Sequence, residues 1–251
     1  MQLVWQINSQ NNKPNNQYPY SHSKIGCYQQ CPFKFKCKYI DKIKVKENLY
    51  HLNKGNYIHH KLEYFGQPNP PEKTFDLTQE EREEIDKIIE NFTSTLRFKE
   101  LISYPNSKNE IAIALDHEYT SIKYDYKKNY NITKYWGKID RIHLYNNGII
   151  HLIDWKSGKK RNYYKQLEEY ALWSMIKFPN FHTIKCSYEF VEHNDYLEKI
   201  YTPGDFERIK TRLESEMNSI EKDTLFMKHK TGLCNFCEYG PTNAHICEGI
   251  K

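Results

Sequence analysis

The chain has 251 residues, of which 38% are apolar and 27% are charged, and its formal net charge is +5. It contains 21 Tyr, 12 Phe and 4 Trp, so an intrinsically disordered protein is excluded. No run approaches the ~20 apolar residues that a membrane-spanning helix needs, and the Asn- and Gln-rich residues 1–16 lack the apolar core of a secretory signal. We therefore expect a cytoplasmic protein without membrane association, whose charge permits a nucleic-acid partner without indicating one.

Helical patterns dominate the first hundred residues, after a polar segment over 1–20 that we expect to be a flexible lead-in. Ser21 can cap the first helix, which Pro32 interrupts or restarts. Apolar residues recur at helical spacing over 52–65. A capping-box pattern then opens a long helix over about 79–96.

Strand patterns follow, with one helical stretch among them and another after them. We expect strands over 110–115, 119–126, 135–144, 149–155, 183–191 and 197–201, and helices over 163–176 and 205–220. This order predicts the α/β or α+β class, with a mixed β-sheet core flanked by helices. Within one domain over 21–251, we expect N-terminal helices over 21–100, a core over 108–202, and a C-terminal helix with a Cys-rich tail over 203–251.

The most informative stretch is a predicted hairpin that contains Asp140 and Asp154. Residues 146–148, Asn-Asn-Gly, suit a three-residue loop with its Gly in the left-handed conformation. That register puts the two Asp residues opposite each other, with Cβ atoms about 5 Å apart. Carboxylates this close repel unless a cation lies between them, and their oxygens suit Mg²⁺ or Mn²⁺. Lys156 follows Asp154 by two residues and therefore shares its face of the strand.

Two alternatives to this metal site are open at the level of the sequence. A two-residue Asn-Gly turn would pair Asp140 with Trp155 and separate the carboxylates. Alternatively, the two Asp residues and Lys156 would simply be exposed near strand ends, since an Asp-x-Lys pattern is common.

These residues resemble the PD-(D/E)XK nuclease superfamily, and more narrowly its RecB-like exonuclease branch. The likeness covers about residues 21–247 and consists of short segments in a fixed order. They are Cys31-Pro32, similar to the N-terminal Cys-Pro segment; 55–59, similar to Gly-x-x-hydrophobic-His; 137–140 and 153–158, similar to Gly-x-Ile-Asp and Ile-Asp-x-Lys-Ser-Gly; and 166–170, similar to Gln-x-x-x-Tyr.

The resemblance implies a restriction-endonuclease-like fold and a metal-dependent DNA nuclease, which we expect to act as an exonuclease on single-stranded DNA ends, with fraying or nicking of duplexes left open. The implied ligands of Mg²⁺ or Mn²⁺ are His59, Asp140, Asp154 and the backbone carbonyl of Trp155. The implied catalytic set is Asp154, Lys156, Gln166 and Tyr170. Gln166 and Tyr170 would position the strand end and the lysine, because residues at i and i+4 share one helix face.

Two further residues near this implied site have alternative interpretations. His60 is the neighbouring alternative to His59 as a metal ligand. Glu110 could face the same site from the first core strand, although we favour an exposed residue at a strand start.

The cysteines provide a second candidate site. Cys234 and Cys237 form a C-x2-C pair, and Cys247 follows after nine intervening residues, so three thiolates leave a tetrahedral site incomplete. In the AddB-like and CRISPR-associated RecB-like nucleases, which the chain also resembles, a Cys before Pro completes a [4Fe–4S] site, which implies Cys31 here. The gap before Cys247 is longer than in those families. Structural Zn²⁺ is therefore the alternative, because thiolates accept either metal.

Other residues could substitute in the cysteine site. His245 lies within the long gap and could replace one ligand of a zinc site. Cys27 lies one helical turn before Cys31 and could take its place. We interpret Cys37 and Cys186, and Cys27 when it does not substitute, as core or surface residues.

Basic residues suggest where DNA would bind. Lys159, Lys160 and Arg161 follow the implied catalytic strand, and Tyr163 stands beside them, so this segment could contact phosphates and stack on bases. A second run of lysines lies within 34–46. The alternative is a solvated surface with ordinary core tyrosines.

No Gly-rich loop with Gly-Lys-Ser/Thr occurs in the sequence, so a helicase motor would be a separate chain. An integrase is another possible partner on a separate chain. The pathway could be recombination, repair or CRISPR spacer processing. One rival interpretation is a non-catalytic DNA-binding or assembly subunit that retains the nuclease fold. Another is a structural zinc protein with an accidental Asp-x-Lys match.

Overall fold

The computed structural model describes residues 19–45, 49–125, 128–160 and 164–247. Their centre is a five-stranded sheet in the order β1-β2-β3-β4-β5. The strands β3 and β4 are parallel, and the other neighbouring pairs are antiparallel. The bounds are β1 Ser107–Asp116, β2 Thr133–Leu144, β3 Ile149–Lys156, β4 Thr183–Phe190 and β5 Asp195–Tyr201. This mixed α/β arrangement is the predicted class.

Helices cover both faces of the sheet. They are α1 His22–Gln30, α2 Pro32–Phe35, α3 Tyr50–Glu63, α4 Gln79–Ser94, α5 Leu96–Ser103, α6 Lys165–Lys177 and α7 Phe206–Lys222. One apolar core joins α1, α6 and α7 to the sheet through residues such as Ile25, Leu172 and Leu213. The other joins α3, α4 and α5 to β3, where Trp155 contributes. Both faces of β3 are thus buried.

Helix starts follow the local capping signals. The Ser21 side chain accepts a hydrogen bond from the Lys24 amide and caps α1, and Pro32 occupies the first turn of α2. Thr78 and Glu81 form a reciprocal capping box at α4. These boundaries agree with the sequence-based expectations.

The hairpin of β2 and β3 has the register with the three-residue loop. Arg141 pairs with Ile153 and Leu144 with Ile150, and the Tyr145 amide donates to the Ile149 carbonyl at 2.9 Å. Gly148 has φ +78°, a conformation that glycine adopts at no steric cost. Continuing this register outward brings Asp140 opposite Asp154.

The long helix over about 79–96 is confirmed as α4, whereas α5 was not predicted: Thr95 adopts an extended conformation after α4, and its side chain caps α5 at the Phe98 amide. One expectation about the elements is wrong. The strand over 119–126 is absent from the described residues of that segment, apart from a one-residue bridge of Ser121 to Leu115. There the Asp116 carboxylate accepts the amides of residues 118 and 120 and turns the chain.

Among the described residues, no helix combines the length and the apolar composition that crossing a membrane requires.

Candidate active site

A cavity of about 580 Å³ opens between α1, α3, α6 and the adjoining ends of β2 and β3. Its lining contains most of the residues that the sequence singled out: His59, Asp140, Asp154, Lys156, Gln166 and Tyr170. These side chains come from α3, β2, β3 and α6. The fold therefore brings together residues that are more than a hundred positions apart in the chain.

Asp140 is held by groups on both of its oxygens. Its Oδ1 lies 3.0 Å from His59 Nδ1, and its Oδ2 accepts the Trp155 amide at 2.7 Å. Burial, followed by the charge of Asp154, raises the pKa of Asp140. Burial disfavours the charged form of His59, but the hydrogen bond and charge of Asp140 outweigh this and raise the pKa of His59. His59, rather than His60, is the histidine in contact with Asp140.

Asp154 has one hydrogen-bonded oxygen and one that is not. Tyr170 Oη lies 2.7 Å from Asp154 Oδ1 and also 2.7 Å from the Lys138 carbonyl, and its single proton can be donated to one of them at a time. Asp154 Oδ2 lies 2.5 Å from Lys156 Nζ as an ion pair. Within the described residues, however, this buried oxygen accepts no hydrogen bond of good geometry. The ammonium group of Lys156 is the cation that compensates this buried oxygen.

The ammonium group of Lys156 is oriented by α6. It donates to Gln166 Oε1 at 2.8 Å, and it lies 4.7 Å from the centre of the Tyr188 ring. Gln166 Nε2 donates to Tyr170 Oη at 2.7 Å, which is the i, i+4 relationship expected on one helix face. The lysine is thus held beside the two carboxylates.

Glu110 faces the site, contrary to the exposed strand-start position that we favoured. It has φ +55° and drops out of the β1–β2 pairing, between Asn109↔Arg141 and Ile111↔Ile139. Ligand atoms of His59, Glu110 and Asp140 lie within 4.8 Å of one another. Glu110 also forms an ion pair with Lys138. Backbone strain of this kind is concentrated at functional sites.

The residues present fit a divalent metal. The carboxylate oxygens of Glu110 and Asp140 and the imidazole nitrogen of His59 are a suitable donor set for Mg²⁺ or Mn²⁺. Asp154 lines the same cavity, where its Oδ2 is paired with Lys156. The backbone of Trp155 is fixed because its ring packs against Phe92 and Phe98, with centroid distances of 5.9 and 6.0 Å. Its carbonyl as a ligand stays a prediction.

Comparison with known proteins agrees with this geometry. The family model of the PD-(D/E)XK nuclease superfamily matches residues 19–242. The chain belongs to the PD-(D/E)XK nuclease superfamily. No curated protein matches the chain.

Two solved structures resemble this PD-(D/E)XK chain. One is a protein from Eubacterium rectale described as a candidate exonuclease, with 15% identity and a TM-score of 0.54, and the match covers 95% of this chain and 93% of that one. The likeness shows a shared fold. The other is SSO0001, with 13% identity, a TM-score of 0.39, and coverage of 96% and 90%.

The four implied cluster cysteines of the PD-(D/E)XK chain lie around one cavity, although among the described residues no three of their sulfur atoms lie within 4.8 Å of one another. Cys31, Cys234, Cys237 and Cys247 line one small cavity between α2 and the C-terminal tail. Despite the long gap, the Cys247 amide donates to the Tyr239 carbonyl at 2.7 Å, which returns the chain to the C-x2-C pair. Cys31 Sγ accepts the His229 amide at 3.4 Å.

The substitutes for these cysteines are less well placed. Among the residues described around this cavity, neither Cys27 nor His245 contributes to the lining. His245 is exposed. Burial raises the pKa of the Cys27 thiol to about 11, as expected for a packed residue. Cys37 and Cys186 are buried.

Ion pairs reduce the free positive charge of the basic segments. Lys160 pairs with Asp195, and Lys159 is exposed. Arg161 and Tyr163 lie outside the described residues. In the earlier lysine run, Lys34 and Lys38 both contact Glu238. The described lysines of these segments do not line the active-site cavity.

Proposed function

We propose that this chain is a divalent-metal-dependent deoxyribonuclease that degrades single-stranded DNA from free ends as an exonuclease. The observation that carries the proposal is the meeting of His59, Asp140, Asp154 and Lys156 in one cavity of a PD-(D/E)XK chain. It would act in recombination, repair or CRISPR spacer processing, and would receive unpaired ends from a helicase or integrase partner.

The proposed metal ligands are the carboxylates of Asp140 and Asp154, His59 and the Trp155 carbonyl, with Glu110 adjacent. Mg²⁺ or Mn²⁺ bound there would lower the pKa of a bound water and neutralise charge on the phosphate. The Asp140 carboxylate is already oriented by His59 and by the Trp155 amide, so little reorganisation would be needed.

Lys156 is the proposed catalytic lysine. Its ammonium group lies beside Asp154 and is directed by Gln166. A cation in this position would orient the attacking water and stabilise the charge that develops on the phosphate. Gln166 and Tyr170 would act by holding Lys156 and Asp154 in place.

The preference for unpaired DNA rests on the depth of the site. Asp140 and Asp154 are only 6% and 4% exposed, and the cavity is bounded by helices on several sides. A phosphate within an intact duplex would have difficulty reaching them, whereas an unpaired strand or a strand end can enter.

We further propose that the four cysteines bind a [4Fe–4S] cluster, with structural Zn²⁺ as the alternative. Lys228 and Lys230 line the same cavity and would offset the negative charge of thiolate ligation. The cluster would join the C-terminal tail to the N-terminal helices and close a long loop. Its role would be structural.

A cleavage assay with anaerobically purified protein tests the nuclease proposal. Single strands labelled at either end and a closed single-stranded circle would be incubated with Mg²⁺, Mn²⁺ or EDTA, beside Asp154→Asn. We expect metal-dependent loss of linear strands and an intact circle. Cutting of the circle would refute an exclusively exonucleolytic mode. Binding of DNA without cleavage under every condition would favour a non-catalytic subunit.

A further inference from the structure

Four described histidines line the active-site cavity, namely His22, His51, His59 and His60. His22 lies outside the segments that resemble the nuclease families. It is the first residue of α1, and its ring lines the cavity that contains Asp140, Asp154 and Lys156. Its Nδ1 lies 3.0 Å from Glu169 Oε2, and 36% of its side chain is exposed, against 1% for Glu169. A buried carboxylate therefore holds a partly exposed imidazole.

Glu169 is itself fixed by groups from two other elements. Tyr135 Oη donates to Glu169 Oε2 at 2.6 Å, and Arg212 Nη2 lies 3.9 Å from Glu169 Oε1. Burial and the charge of Glu169 raise the pKa of Tyr135 far above its usual range, so this phenol stays a hydrogen-bond donor. Side chains from β2, α6 and α7 thus combine to orient His22.

This arrangement determines which ring nitrogen of His22 is available. The Glu169 carboxylate accepts a hydrogen bond from Nδ1, and Nε2 lies on the other side of the ring. Carboxylates that orient histidines in this way are common where the second nitrogen binds a metal or a substrate. Of the three Glu169 partners named above, His22 and Tyr135 also line the cavity, but the Tyr135 hydroxyl is occupied by Glu169.

We infer that His22 Nε2 binds a non-bridging phosphate oxygen of the DNA strand in the cavity, and that Glu169 and Tyr135 are positioning residues. The inference rests on the proposed nuclease function. In the complex Nδ1–H donates a hydrogen bond to Glu169, and Nε2–H donates one to the phosphate oxygen. The positive charge of the ring then lies between two anions. A purely structural role would only connect α1 to α6.

Two substitutions separate these roles. In His22→Asn the amide nitrogen replaces Nδ1 and can still donate to Glu169, but nothing replaces Nε2. In His22→Gln the amide nitrogen lies near the position of Nε2. We expect His22→Asn to raise KM for single-stranded DNA by about 10–100-fold with a smaller change in kcat, and His22→Gln to recover part of the loss. The exposed His117, substituted by Asn, is the matched control.

Methylphosphonate substitution identifies the contact from the DNA side. Each phosphate of a short single strand is replaced in turn by the uncharged analogue, and kcat/KM is measured for wild type and His22→Asn. At one position the substitution should impair wild type but not His22→Asn. An unchanged KM in His22→Asn, or identical position profiles for the two proteins, would overturn the inference. If His22→Asn does not fold, His22→Gln is compared in the same way.

The same experiment distinguishes this inference from the proposed function. If wild type leaves single-stranded DNA intact in Mg²⁺ and in Mn²⁺, the nuclease proposal itself fails. If wild type cleaves DNA and His22→Asn matches it in both measurements, only the phosphate contact is refuted.

Discussion

Lys156 Nζ donates a 2.8 Å hydrogen bond to Gln166 Oε1 while it lies 2.5 Å from Asp154 Oδ2. The lysine is therefore shared between a helix and the sheet. Gln166 is anchored in turn by its bond to Tyr170. Gln166 thus fixes the position of the ammonium group, so Asp154 is not the sole partner of Lys156.

Removal of the Gln166 amide tests the importance of this orientation. We expect Gln166→Ala to lower kcat by about 10–100-fold, because Lys156 would lose its fixed direction. Affinity for Mn²⁺, measured by calorimetry, should change little because Gln166 is not a proposed ligand. Lys177→Ala, an exposed lysine on the same helix, is the control. Equal kcat in Gln166→Ala and wild type would contradict the account.

The left-handed conformation of Glu110 predicts that its replacement by glycine favours stability but reduces activity. At φ +55° a side chain with a Cβ is strained, whereas glycine is not. We expect Glu110→Gly to be more stable than Glu110→Ala by about 1 kcal/mol, as measured by denaturant unfolding. Both variants should lose activity and bind Mn²⁺ more weakly. Retention of full activity by either variant would remove Glu110 from the site.

Two buried histidines on the α5 face of the sheet predict acid sensitivity. Burial, reinforced by Arg141, lowers the pKa of His143 to about 4, and burial, reinforced by Lys185, lowers that of His151 to about 2. Both are neutral in the folded protein, while the unfolded chain takes up protons below about pH 6.5. The stability that the folded protein gains from keeping these two histidines neutral is complete above about pH 6.5. It is lost as the pH falls towards the lowered pKa values.

The expected loss is about 2 kcal/mol for each histidine at about pH 5. His151→Gln keeps an amide for Ser187, which His151 contacts at 2.9 Å, and should flatten the dependence of unfolding free energy on pH. His117→Gln should leave the slope unchanged. A slope in His151→Gln as steep as that of wild type would contradict the burial argument.

The cysteine cavity predicts a metal content that depends on Cys31. Anaerobically purified protein should contain about four iron ions per chain, with matching acid-labile sulfide. Cys31→Ser should lose them, and Cys27→Ala should keep them, because Cys27 is not part of the described cavity lining. One zinc ion per chain would support the alternative site instead. Loss of zinc in His245→Ala would then identify that histidine as a ligand.

Local signals account for the parts of the fold that the sequence predicted. The Asn-Asn-Gly loop determines the register of β2 and β3, and Gly148 has the positive φ that this loop requires. The capping box that the sequence predicts at Thr78 is present in the structure. Because one turn fixes the pairing of a whole hairpin, the proximity of Asp140 and Asp154 could be anticipated.

Features that depend on tertiary structure could not be predicted in this way. The sequence gives no sign of the positive φ at Glu110, because glutamate normally avoids this conformation. The register of the strands does place Glu110 opposite Asp140. The contact of His22 with Glu169 joins residues 147 positions apart. The ion pair of Lys160 with Asp195 likewise forms only in the folded chain. The positive charge available for DNA is therefore smaller than the basic residues in the sequence indicate.

The most direct test of the account is the rate at which nucleotides are released from linear single-stranded DNA in Mg²⁺ by wild type, Asp154→Asn and Lys156→Ala. Lys177→Ala serves as the folded control. We expect release by wild type, its abolition by EDTA, and a loss of more than about a hundredfold in both active-site variants. Equal rates for wild type and the two variants would contradict the assignment of this cavity as a nuclease site.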